Sequence, residues 1–119
     1  MVGGVLAVCL ASSAFANSHY WTVNFGSKVT CDNYSAPNSG THKVISHIHN
    51  NGNAHNTYDI QLVHVKNNWP DEFLKKYTQG CNVNKTSTWL SCDAGTYHWD
   101  MYKASGGANF TGSGTNYWP

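Results

Sequence analysis

The feature that most constrains this chain is an apolar alternation of period two that returns along most of its length. Trp21, Val23 and Phe25 alternate with Thr22 and Asn24; Val44, Ser46 and Ile48 with Ile45, His47 and His49. Tyr58, Ile60, Leu62 and His64 alternate with Asp59, Gln61, Val63 and Val65, and Tyr97, Trp99 and Met101 with His98, Asp100 and Tyr102. Successive side chains of an extended strand point to opposite faces, so each segment predicts a strand with one buried and one outer face. Thr86 to Leu90 and a Gly-rich stretch around Asn109 to Trp118 add two more. Six or seven short strands in about 100 residues can bury their inner faces only against one another. The expected fold is all-β, a small antiparallel β-sandwich of jelly-roll type.

Turn chemistry sets the boundaries. Gly26 reads as a bulge before Val29 and Cys31, and Asn33 to Gly40 as a loop. Asn50-Asn51-Gly52-Asn53 is a strong turn signal, which predicts that residues 41–49 and 57–66 form a hairpin. The segment from Asn68 to Gly80 reads two ways. As a short helix near 69–79 it has Asn68 as cap, Pro70 in the first turn, Glu72 four before Lys76, Phe73 four before Tyr77, and Gly80 as terminator. As a strand it offers Phe73, Lys75 and Tyr77 in alternation.

Charged residues make up 11% of the chain, against roughly 25% in an average soluble protein, and the net charge is +1. Every cation is lysine, so the bidentate Arg fork of sequence-specific readers is missing, and nucleic acid is not an expected partner. With 40% apolar and 13% aromatic residues the chain has the means to fold.

The apolar run Val2 to Leu10 is followed by Ser13-Ala14-Phe15-Ala16, with small residues where a signal peptidase reads. This predicts a signal peptide over residues 1–16, cleavage before Asn17, a single domain over 17–119, and a secreted or periplasmic product. The lack of Lys or Arg before the run points to a start upstream of Met1. The run falls short of the roughly 20 residues of a spanning helix, so stable membrane insertion is not expected. Cleavage removes Cys9 and leaves Cys31, Cys81 and Cys92, an odd count for an oxidising compartment. The favoured bridge is Cys81 to Cys92, worth roughly 2 to 3 kcal/mol in the chain-entropy model, with Cys31 unpaired. A bridge from Cys31 to the C-terminal half is the alternative.

Three constellations could carry function. His47 and His49 lie two apart on one strand face, a workable metal-ligand spacing for zinc or copper, with His64 or His55 as a third ligand. The same histidines also fit a plain solvated face. His98 and Asp100 share a face and would make a hydrolytic triad with Ser46 or Ser91. No G-x-S-x-G elbow is present, and a single Glu leaves no carboxylate pair for glycoside hydrolysis, so no catalytic residue is assigned and a non-enzymatic role is expected. Five Trp and seven Tyr exceed what one small core needs, since each ring buries about 150 to 250 Å². Trp21 and Trp99 are assigned to the core. Trp69, Tyr117 and Trp118 are the candidate stacking platforms for a carbohydrate or cell-envelope component.

Ser39-Gly40-Thr41-His42-Lys43-Val44, Tyr58-Asp59-Ile60-Gln61-Leu62 and Gly95-Thr96-Tyr97-His98-Trp99 resemble, in order, the elements of bacterial pre-peptidase C-terminal domains, over residues 37–103. That resemblance implies a non-enzymatic β-sandwich of the kind appended to secreted hydrolases. The aromatic end Asn116-Tyr117-Trp118 resembles small exported bacteriocins of the lactococcin type, which implies a toxin-like, antimicrobial role.

Overall fold

The structure, a computed structural model, describes residues 15–119; the apolar run Val2 to Leu10, on which the expected signal peptide rests, lies outside the described residues. It is all-β, as the alternation predicts. The strands are β1 (Asn17–Phe25), β2 (Lys28–Thr30), β3 (Tyr34–Ala36), β4 (Gly40–His49), β5 (Thr57–Val65), β6 (Glu72–Gly80), β7 (Asn84–Cys92), β8 (Gly95–Tyr102) and β9 (Phe110–Trp118). They form two antiparallel sheets. One has the order β1-β9-β4-β7, the other β2-β8-β5-β6, with β3 continuing along the edge of β8 that β2 begins. The inner faces meet in a core of Trp21, Phe25, Val44, Ile48, Tyr58, Ile60, Leu62, Trp89, Tyr97, Trp99, Met101 and Phe110. These are the inward members of each alternation. Burying such rings and aliphatics at roughly 1.5 to 3 kcal/mol each is the main term holding the sheets together.

Among the described residues nine strands form where six or seven are expected, because the short β2 and β3 pair with β8, β3 within the expected loop Asn33 to Gly40; three further expectations are corrected. The turn at Asn50–Asn53 forms, with Asn51 and Gly52 at φ 54 and 82 and Asn53 N–H donating to Asn50 O at 2.9 Å. Its flanking strands nevertheless do not pair: β4 lies between β9 and β7, while β5 lies between β6 and β8 in the other sheet. The turn signal fixes a local reversal and says nothing about which sheet the chain re-enters. The segment near 69–79 is not a helix but β6, paired with β5 from Thr57↔Gly80 to His64↔Glu72. A register shift between Gln61 and Val63 breaks its alternation, leaving the i, i+4 pairs as an accident of spacing.

The Cys81–Cys92 bridge is also excluded. Cys92 ends β7, and a nine-residue strand of about 3.3 Å per residue separates it from the turn that holds Cys81. Disulfide geometry tolerates about 7 Å between Cα atoms. Cys31, Cys81 and Cys92 are all free thiols.

Glycine accounts for the weak pattern of β9. Gly114 lies opposite Trp21, and a Cβ there would collide with Trp21 Cζ2 and with Ile45 O. The bare backbone is the seat on which the indole rests.

Candidate functional site

Both open sides of the sandwich carry a concavity, and they differ in how their edges are held. Between β6 and β7 the edges are stitched by side chains: Trp89 Nε1–H donates to Lys75 O at 2.7 Å, the Tyr77 hydroxyl to Thr88 O, and Gln79 Nε2 to Ser87 Oγ at 2.9 Å. On the opposite side, where β1 faces β2 and β3, the sheets part to leave a groove of ≈ 410 Å³. Cys31 to Asn33, linking β2 and β3, form its outer lip. Cys31 holds that lip to β8: its N–H donates to Trp99 O at 3.1 Å, and Trp99 N–H donates to Cys31 Sγ at 3.1 Å. Thiol and amide thus replace a strand pairing and push Asp32 and Asn33 outward.

The floor is aromatic. Tyr34, half-buried, lines it together with the buried rings of Trp21, Trp99 and Trp118, with Val23 and Val29 beside them. Trp21 and Trp99 donate their indole N–H groups to one acceptor, Asn116 Oδ1, at 2.9 and 2.8 Å. That pair of bonds lets two polar-tipped rings sit in an apolar core without an orphaned donor. Tyr34 and Trp118 pack at 4.4 Å between ring centroids. Trp118 Nε1 is buried without a hydrogen-bond partner, an unmet donor within the groove wall. The rim is polar and exposed: Ser18, His19, Thr22, Thr30, Asp32 and Asn33. Asp32 is the one carboxylate of the lining, and no lysine contributes to it. Burial pushes the Cys31 thiol up to about 11, offset in part by its backbone hydrogen bond to Trp99, so it is protonated and inert at neutral pH.

Behind the floor, Tyr34 links the groove to a buried imidazole. Its hydroxyl shares a 2.8 Å hydrogen bond with His42 Nδ1, while His42 Nε2 has no partner. His42 packs on Tyr97 at 4.4 Å between ring centroids, and Tyr97 stacks on His64 at 4.5 Å. Burial lowers the His42 pKa to about 4, with the neighbouring His64 adding to the effect.

Of the stacking candidates, Trp118 lines the groove, although only 9% of its surface is exposed. Trp69 stands 75% exposed in the loop between β5 and β6 and is not part of it. Tyr117 points to the outer face, with Phe15 against its ring at 6.0 Å and Lys43 Nζ at 4.9 Å. Trp21 and Trp99 belong to the core as assigned and also form the groove floor. Period-two reading places them inward but gives no sign that the sheets part above them, and nothing in the sequence marks Asp32 and Asn33 as a groove lip or Asn116 as the acceptor of both indoles.

The histidine trio does not assemble. His47 and His49 share the outer face of β4 with ring centroids 4.7 Å apart, and His47 Nδ1–H donates to Asn84 Oδ1 at 2.7 Å. His64 belongs to the other sheet, is buried against Tyr97, and lies 3.4 Å from Glu72. Among the described residues no group of three or more His, Cys, Asp or Glu side chains is placed to hold a metal. His98 Nδ1 and Asp100 Oδ1 do approach to 3.1 Å on the outer face of β8. Ser46, however, is buried in the opposite sheet against the Tyr58 hydroxyl at 2.7 Å, and Ser91 belongs to β7 in that same sheet, so neither triad forms.

No family model and no curated protein matches the chain. Its fold is similar to that in the crystal structure of the Yersinia pseudotuberculosis-derived mitogen, with 9% sequence identity over 87% of this chain and 86% of that one, and a TM-score of 0.54. The crystal structure of PirA aligns with 14% identity over 86% and 93%, at a TM-score of 0.49.

Proposed function

We propose that this chain is a secreted, non-enzymatic, toxin-like module that binds a neutral carbohydrate, as found on cell envelopes, in the groove between β1 and the β2–β3 edge. The observation that carries this reading is the composition of the groove: indole and phenol rings on the floor, and planar Asp32 and Asn33 side by side on the lip. Sugar rings present apolar C–H faces to aromatics and vicinal hydroxyls to carboxylate and carboxamide groups, and the volume falls in the range of small-ligand sites of roughly 300 to 1,000 Å³. A lining without lysine gives no attraction to phosphate or sulfate. The fold likeness to a mitogen supports action on other cells rather than on a metabolite. Screening the chain against immobilised neutral glycans, then titrating the best binder, tests the reading. Asp32→Ala and Asn33→Ala should each weaken binding tenfold or more with folding intact. Retention of no glycan, or affinity indifferent to both changes, contradicts it.

A further inference from the structure

Read with the export signal, the start of β1 carries a second chemistry. We propose that cleavage before Asn17 turns Asn17-Ser18-His19 into a copper(II) site at the mouth of the groove. This rests on the secretory reading above. The donors would be the new α-amine of Asn17, the backbone nitrogens of Ser18 and His19, and the imidazole Nδ1 of His19. These four nitrogens are consecutive along the chain, so they close fused chelate rings around one ion in a square plane. The spacing is strict: the imidazole must sit on the third residue, and neither the second nor the third can be proline, because both amide nitrogens are ligands. Asn-Ser-His meets each condition.

A square plane of nitrogens suits Cu(II) or Ni(II), with copper ahead in the affinity order, and is a poor match for zinc, which prefers a tetrahedron. Each bound Cu²⁺ displaces to solvent the amide protons of Ser18 and His19 and the proton of the terminal ammonium. No electron is transferred.

The fold leaves these residues able to do this. Among the described residues β1 is an edge strand partnered only by β9, and both Ser18 and His19 are exposed. Successive N–H groups of a strand point in opposite directions. A planar chelate therefore requires Asn17, Ser18 and His19 to leave their partners Trp118, Tyr117 and Asn116. The pairing of Tyr20–Phe25 with Thr115–Phe110 remains. Terminal pairs of an edge strand are the least costly in a sheet to release. Before release these residues sit opposite Trp118 and on the groove rim, where His19 and Ser18 lie.

The test uses the untagged chain exported with its own signal, its first residue read by mass spectrometry, titrated with copper(II) chloride in the presence of excess glycine. The expected result is one tightly held Cu(II) per chain, a four-nitrogen electron paramagnetic resonance spectrum, and quenched tryptophan emission. His19→Gln should abolish this, as should one alanine inserted between Ala16 and Asn17, which moves the imidazole to the fourth position while sparing every histidine. A His47→Gln, His49→Gln double variant should retain it. A product that begins elsewhere, a product beginning at Asn17 that holds no copper, or binding that survives the insertion overturns the proposal. Glycan affinity measured with a chelator present reports on the groove separately.

Discussion

Trp21 of the four-stranded sheet and Trp99 of the five-stranded sheet meet across the core with ring centroids 4.6 Å apart and planes tilted by 50°. Their shared acceptor, Asn116 Oδ1, makes the contact a polar-tipped one and ties both rings to β9. Asn116→Ala should therefore leave two buried indole donors unpaired and destabilise by roughly 3 kcal/mol or more. Trp69→Ala, in an exposed loop, should stay within about 0.5 kcal/mol. Urea midpoints of the two variants check the contrast.

Acid should destabilise the fold through His42. Its folded pKa, lowered to about 4 by burial, lies below the unfolded value of 6.5. Below that unfolded value the unfolded chain binds a proton that the folded chain does not. Stability should accordingly fall as pH drops from about 6.5 towards about 4 and level off beneath, by roughly 3 kcal/mol in all. His42→Gln removes the titration, and its stability profile over that window should be flatter than that of the parent protein. Equal slopes would assign the acid limb to other groups.

With no bridge between Cys81 and Cys92, the chain lacking residues 1–16 should titrate three thiols when unfolded without reductant. In the native state Cys31, raised to about 11 by burial and occupied by the Trp99 N–H, should be alkylated far more slowly than in the unfolded chain. Peptide mapping of an alkylation time course reads both. A Cys81–Cys92 linked peptide would contradict the strand geometry.

Gly114→Val should prevent the seating of Trp21, because even a Cβ is too close to Trp21 Cζ2 and to Ile45 O. A loss of roughly 3 kcal/mol or failure to fold is expected. Gly52→Ala, where open space surrounds the position but φ is 82, should cost only the strain of a left-handed residue, about 1 to 2 kcal/mol. Thermal denaturation of the pair tests whether close packing or backbone conformation dominates.

The layer architecture was legible because β4, β5 and β8 each carry an unbroken alternation whose inward members, Val44, Ile60 and Trp99 among them, do form the core. The pairing was not. Alternation gives each strand a face but no partner, so the Asn50–Asn53 turn suggested a hairpin where the chain crosses between sheets. Of the two readings of Asn68 to Gly80 the strand is the one that forms, and the helical spacing competes with it because the bulge in β6 shifts the period midway. The groove escaped for a related reason: Trp21, Trp99 and Trp118 read as inward and are buried, and alternation gives no sign of an opening above them.

The most direct test of the groove is the set of five indole N–H resonances, one for each tryptophan, followed by two-dimensional nitrogen-15 nuclear magnetic resonance while the glycan retained in the screen is added. Binding in the groove should shift the signals of Trp21, Trp99 and Trp118 and leave Trp69 and Trp89 where they stand. Shifts confined to Trp69, with the three groove indoles unmoved, would contradict the account.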